Sequence, residues 1–200
     1  MKNEIMLLLI LISFTYCKEP RILNDNQEIQ TYSLINDFIL DSLYKVNIIS
    51  REVMMFEDSA NPISPPETYC SYSSELFMEL MESKIIDSTD LKLFKAQLSS
   101  KSRFLLNPNK LHIKTFSRDS LYKVTLNRNS KIDLWEYFRK KYNSNSYLII
   151  SLPLFSKDNN TLLVTVHFHC GGDCGVGVVY VFKNINGKWK IVYSIKEWIS

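Results

Sequence analysis

Apolar positions recur at three- and four-residue steps near the start of the chain: Ile29, Tyr32, Ile35, Phe38, Ile39, Leu43 and Val46. That period puts them on one face of an α-helix from Asp25 to about Val46, with Asn24 or Asp25 as its cap. Ser74 caps a predicted helix over Glu75–Ser83, and Thr89 another over Asp90–Leu98. Ser130 with Asp133 makes a capping pattern before Ile132–Tyr142, where Leu134, Trp135, Phe138 and Tyr142 form the buried stripe. Three prolines, Pro62, Pro65 and Pro66, make 60–66 a loop. Residues 47–56 fit either a helix continuation or a strand, and Leu121–Leu126 reads as a strand.

From Tyr147 the period changes to two. Ser156–Asn160, Gly171–Asp173 and Asn186-Gly187 are turn signals that divide the rest into four strand-like runs, the last turn suiting a two-residue hairpin. Centring the turns places Leu154 opposite Leu162, Ile150 opposite Val166, Phe168 opposite Val176 and Cys170 opposite Cys174. It also places Phe182 opposite Ile191 and Tyr180 opposite Tyr193. In that register sixteen apolar side chains between Leu148 and Ile195 share one face, and a one-residue slip would scramble them. The expected fold is α+β: N-terminal amphipathic helices packed on a C-terminal four-stranded antiparallel meander. Residues 25–200 then form one domain, helical over 25–146 and sheet over 147–200. Pro153 cannot donate to a ladder, which places Tyr147–Phe155 at the sheet edge.

Ahead of the domain, Lys2 precedes a ten-residue apolar run from Ile5 to Phe14. A membrane-spanning helix needs about 20 such residues, so this run has the length of a signal-peptide core. Cys17 follows at once, as at a bacterial lipoprotein cleavage site, although Tyr16 stands where a small residue is usual. The expectation is a signal peptide over 1–16, a lipidated tether over 17–24 and lipidation at Cys17. An ordinary secretory signal is the alternative.

With 200 residues, 46% hydrophobic and 22% charged, the composition is that of a globular protein. The net charge of +3 is too mild to imply a nucleic-acid partner. Charge is unevenly spread: Asp25–Asp90 holds thirteen acidic and three basic residues, Lys101–Lys131 eight basic and one acidic. The basic residues are scattered, as on a solvated face. All five glycines lie between Gly171 and Gly187, which leaves no dinucleotide fingerprint or phosphate-binding loop in the first 170 residues. No Gly-x-Ser-x-Gly elbow or spaced carboxylate pair is present, and nothing in the sequence names a catalytic residue.

The chemically dense stretch is His167-Phe168-His169-Cys170-Gly171-Gly172-Asp173-Cys174-Gly175-Val176-Gly177. Three readings stay open. Cys170 and Cys174 face each other across the hairpin and suit a disulfide in an oxidising compartment. His167 and His169 share a strand face and suit zinc or copper, though the cysteines point the other way. A redox dithiol would need Cys-x-x-Cys, and the spacing here is Cys-x3-Cys. In the derived register the histidines face Gly177 and Gly175, glycines that leave room for imidazole rings. Cys70 has no partner of its own and is a third candidate for pairing.

Trp135, Phe138, Tyr142, Ser151, Phe155 and Ser156, then Cys170-Gly171, Cys174-Gly175, Gly177, Gly187-Lys188-Trp189 and Trp198-Ile199-Ser200 carry a resemblance. The stretch from Trp135 to Ser200 resembles an uncharacterised family of small lipoproteins and secreted proteins from Bacteroidetes-type bacteria. The Cys-Gly-x-x-Cys-Gly-x-Gly element is its core. The resemblance implies an envelope location and the domain boundary, and it implies no activity. The expectation is therefore a cell-envelope lipoprotein with a non-enzymatic binding or structural role. Its partner is the membrane through the lipid, with no nucleic acid, no defined protein partner and no cofactor motif. A metal- or small-ligand-binding role on the His167/His169 face is the alternative.

Overall fold

The computed structural model describes residues 23–56, 69–70, 72–99, 104–118, 120, 133–172 and 174–200. The signal segment, Cys17, the Pro-rich loop 60–66, Ser130 and the Leu121–Leu126 strand lie outside the described residues. The chain is α+β, with four α-helices among the described residues and a mostly antiparallel seven-stranded sheet.

Helix α1 spans Asp25–Ser33 and starts at a capping box: the Asn24 side chain accepts from the Gln27 amide, and the Gln27 side chain accepts from the Asn24 amide. The helix then widens to π-helical winding over Leu34–Leu43. Here Leu34 and Ile35, then Ile39 and Leu40, are buried at five-residue intervals, the period of i→i+5 hydrogen bonding. The backbone turns extended at Tyr44, so the helix ends three residues before the expected Val46. Within the expected stripe Tyr32, Ile35 and Ile39 are buried, whereas Ile29, in the regular α-helical part, is 67% exposed.

Helix α2 spans Ser74–Glu82, capped by Ser73, and α3 spans Ser88–Leu98, capped by Asp87. Each begins one or two residues before the expected start. In α3 the better acceptor decides the cap: the Asp87 carboxylate takes both the Thr89 and Asp90 amides. Helix α4 spans Leu134–Tyr142 and is capped by Asp133 itself. Phe138 is its one fully buried residue, and Leu134, Trp135 and Tyr142 pack partly buried around it.

The strands are β1 (Ile48–Ser50), β2 (Met55–Phe56), β3 (Tyr69–Cys70), β4 (Lys114–Phe116), β5 (Tyr147–Ile150), β6 (Leu154–Phe155), β7 (Thr161–His169), β8 (Gly175–Ile185) and β9 (Lys188–Ile199). The order in the main sheet is β4-β1-β5-β7-β8-β9, with β6 also paired to β7. In that sheet β1 runs parallel to both β4 and β5 and the remaining pairs are antiparallel, while β2 and β3 pair parallel in a separate two-stranded sheet. Strands thus occur inside 25–146 beside the helices, and β1 and β2 fall within 47–56, where the pattern fits either a helix or a strand. Short strands such as β1 and β4 carry too few residues to set a period.

Three further expectations are corrected. Tyr147–Ile150 is not an edge strand but lies between β1 and β7. Pro153 acts locally: it separates β5 from β6, and Ser151 Oγ takes the Thr165 amide at the break. Past that break the register slips by one, so Leu154 pairs with Leu163 and Phe155 with Leu162. On the far side, a bulge between Val181 and Phe182 pairs Tyr180 with Ser194 rather than Tyr193, while Phe182 still faces Ile191.

The sheet is consequently apolar on both faces rather than one. One buried cluster joins Leu148, Ile150, Phe155, Leu162, Val164, Val166 and Phe182 to Leu34, Ile35 and Ile39. Leu154, Leu163, Val179 and Val181 sit with Leu76, Phe77, Leu80 and Phe94. Tyr147 and Ile149 sit with Ile48, Phe116 and Phe138. Continuous Val/Ile/Leu runs such as Leu162-Leu163-Val164 are what a strand covered on both sides requires. Among the described residues no helix is long and apolar enough to cross a membrane.

Candidate functional site

The two histidines of β7 alternate with Phe168 and therefore share a face, in two adjacent rows of the sheet. In one row Ile149, His167, Gly177 and Trp198 lie side by side across β5, β7, β8 and β9. In the next, Tyr147, His169 and Gly175 do the same. The glycines serve a purpose other than the expected one. Nothing about their φ demands glycine, but a Cβ on Gly177 would lie 2.6 Å from Cδ1 of the Trp198 indole, and one on Gly175 would lie 2.9 Å from its Cζ3. The two bare backbones let the indole lie flat on β8, and the room they make is filled by Trp198 rather than by imidazole.

The result is a continuous aromatic stack. Trp135 of α4 stacks on Tyr147 with ring centroids 5.5 Å apart, and Tyr147 stacks on His169 at 4.8 Å. Trp198 lies 5.5 Å from His169 and meets His167 edge-on at 5.2 Å. A bulge between Gly177 and Val178 leaves Glu197 unopposed in β9 and turns it toward His167. Bulges commonly re-aim one side chain in this way.

His167 is buried, and its Nε2 meets two groups at 3.3 Å, the indole Nε1–H of Trp198 and Oε2 of Glu197. Indole can only donate, so the Trp198 contact needs a bare Nε2 with the proton on Nδ1. The Glu197 contact needs the proton on Nε2 instead. One nitrogen cannot serve both in the neutral ring. Nδ1 of His167 and Nε2 of His169 are both buried with no hydrogen-bond partner among the described residues. Burial pushes the His169 pKa down to about 4, with the neighbouring His167 adding to the effect, so this ring is neutral near pH 7.

On the opposite face of the hairpin the Cys170 and Cys174 sulfurs lie at bonding separation, with Cα atoms 5.0 Å apart. Cys170 N–H donates to the Cys174 carbonyl at 2.8 Å, closing the turn. The cysteines and histidines are thus not brought together. No group of three or more His, Cys, Asp or Glu among the described residues could hold a metal ion. Zinc or copper on His167 and His169 would lack a third protein ligand from that set, and His167 Nε2 is already engaged by Trp198. Cys70, in β3, pairs through its backbone with Phe56 of β2.

Sequence reasoning named both histidines but did not place Trp198, Glu197, Tyr147 or Trp135 beside them. Gly175 and Gly177 at alternate positions of one strand were the available signal, because two missing side chains on one face call for a large neighbour on the adjoining strand. The bulge at Glu197 hid which residue supplies it. Comparison with protein-family models, curated proteins and solved structures returns no match to the chain.

Proposed function

We propose that this chain is a cell-envelope lipoprotein, held at the outer membrane on its periplasmic or surface side by a lipid on Cys17, with a domain that binds or scaffolds rather than catalyses. The carrying observation is the ten-residue apolar run that ends just before Cys17, too short to span a bilayer and long enough for a signal core. Each buried CH₂ of an acyl chain contributes about 0.8 kcal/mol of membrane affinity, so more than one chain is needed for stable anchoring. Within this reading the helices act as covers on an antiparallel meander of β5, β7, β8 and β9, supported by the helix residues in the sheet's buried clusters. The test is processing in a bacterial host. Globomycin should leave unprocessed precursor, and Cys17→Ala should remove the lipid-bearing thiol, so that no processed protein partitioning into detergent appears in either case. Unchanged processing and partitioning would sink the lipid anchor and leave secretion as the location.

A second reading places a metal or small ligand on the His167/His169 face. It is favoured by the two buried ring nitrogens without described partners, since such atoms ordinarily find a partner. Elemental analysis of the purified protein, followed by titration with Zn²⁺ and Cu⁺, separates the two readings. Substoichiometric metal and no saturable uptake would remove the metal version.

A further inference from the structure

At the N-terminal end of β5, three loop segments line an open cleft of about 620 Å³. Lys45, Val46 and Asn47 precede β1, Arg139 and Asn143 close α4, and Ser144, Asn145 and Ser146 lead into β5. The volume falls within the range of small-molecule sites, roughly 300–1,000 Å³. The lining is cationic and hydrogen-bonding: one Lys, one Arg, three Asn and two Ser, with no carboxylate. Neither the Lys45 nor the Arg139 side chain has a hydrogen-bond or ion-pair partner among the described residues. By contrast Lys110 and Lys140 elsewhere are paired to Glu28 and Glu136.

The walls are braced. Asn47 Nδ2 donates to the Asn143 carbonyl at 3.4 Å, linking the β1 side to the α4 side. The buried Ser144 hydroxyl donates to the Ser146 carbonyl at 2.6 Å and accepts from the Ser146 amide. Asn143 adopts the left-handed conformation (φ 54°) that ends α4 and turns the chain into the cleft. One feature opposes an anion: the C-terminus of α4 presents about half a negative charge. Two full positive charges from Lys45 and Arg139 exceed it, and Lys141 in the same last turn offsets it further.

We propose that this cleft binds a small hydroxylated molecule bearing an oxyanion, a sugar acid or a sugar phosphate. Arg139 supplies the planar fork that matches carboxylate or phosphate, and Lys45 supplies a second charge. Asn47, Asn145 and Ser146 supply polar groups for the hydroxyls. The proposal rests on the domain being a binding module and is independent of lipidation at Cys17.

Calorimetric titration of the purified protein with D-glucuronate, glucose 6-phosphate and neutral glucose tests it. The expected result is saturable binding of at least one anionic sugar, roughly tenfold or more tighter than glucose, and weakened by added salt. Preference between the two anions identifies the oxyanion. Arg139→Gln should weaken that binding roughly tenfold and Lys45→Gln less. Both side chains are exposed, so unchanged melting curves establish that the variants fold. Equal affinity for glucose, binding that survives both substitutions, or no binding of any probe at millimolar concentration overturns the proposal. If every sugar fails while the mature protein still carries a lipid, the ligand class falls and the anchor stands.

Discussion

Replacing His169 with Phe should remove a specific part of the protein's acid sensitivity. His169 lies in the aromatic stack between Tyr147 and Trp198, and its pKa is pushed from 6.5 to about 4, first by burial and second by His167. An unfolded chain takes up a proton on this ring as pH falls below about 6.5, while the folded chain does not until about 4. Stability therefore declines through that window and is unaffected by this group above it. The gap, at about 1.4 kcal/mol per pH unit, comes to roughly 3 kcal/mol in full and about 2–3 kcal/mol by pH 4.5. His169→Phe keeps a ring in the stack and removes the proton site. The assay is urea unfolding of both proteins between about pH 7.5 and 4.5, comparing the fall in stability of each. Carboxylates such as Asp158, held below the usual range by the Ser156 hydroxyl and the Asn160 amide, titrate alike in both and cancel in the comparison. Wild type should lose about 2–3 kcal/mol more than the variant. Parallel curves would refute the reasoning and mean that the imidazole is solvated in the folded protein.

Gly177→Ala should cost about 1–3 kcal/mol, because its Cβ meets the Trp198 indole. Much of that cost should disappear when Trp198 is Leu, as a double-mutant cycle by thermal unfolding would register. Phe138→Ala should cost about 3–5 kcal/mol, since that ring is 1% exposed and packs against Phe116, Trp135, Tyr142 and Tyr147; a loss under about 1 kcal/mol in chemical denaturation would contradict a closed cluster there. If Cys170 and Cys174 are oxidised, reduction opens a loop with a sequence separation of 4. It should then lower stability by only about 2 kcal/mol by the loop-entropy relation, leaving the protein folded in dithiothreitol.

How far the fold could be read depended on whether neighbouring residues alone decided each feature. Asn24 with Gln27 and Asn186 with Gly187 satisfy backbone groups within a few residues, and these local signals place α1 and the β8–β9 turn. Val166 against Val178 and Phe168 against Val176 followed from counting outward from a turn. Counting fails wherever one residue is added or a ladder is interrupted. Val192 and Glu197 each add one to β9, and Pro153 breaks the ladder before β6, so Tyr193 and Leu154 turn to the other face. The parallel pairing of β1 with β4 and β5 joins segments far apart in sequence, and three-residue strands carry no periodic signature of that choice. The site shows the same division. His167 and His169 stand out by residue type, but Trp198 becomes their neighbour only through the bulge that also delivers Glu197. A bulge adds a residue that the hydrophobic pattern does not require, and this one lies beside His167 and His169, where bulges characteristically re-aim a side chain. Deleting Glu197 would straighten β9 with Lys196 still opposite Val178 and Trp198 still opposite Gly177, so the histidine face would keep its indole cover and lose only its carboxylate.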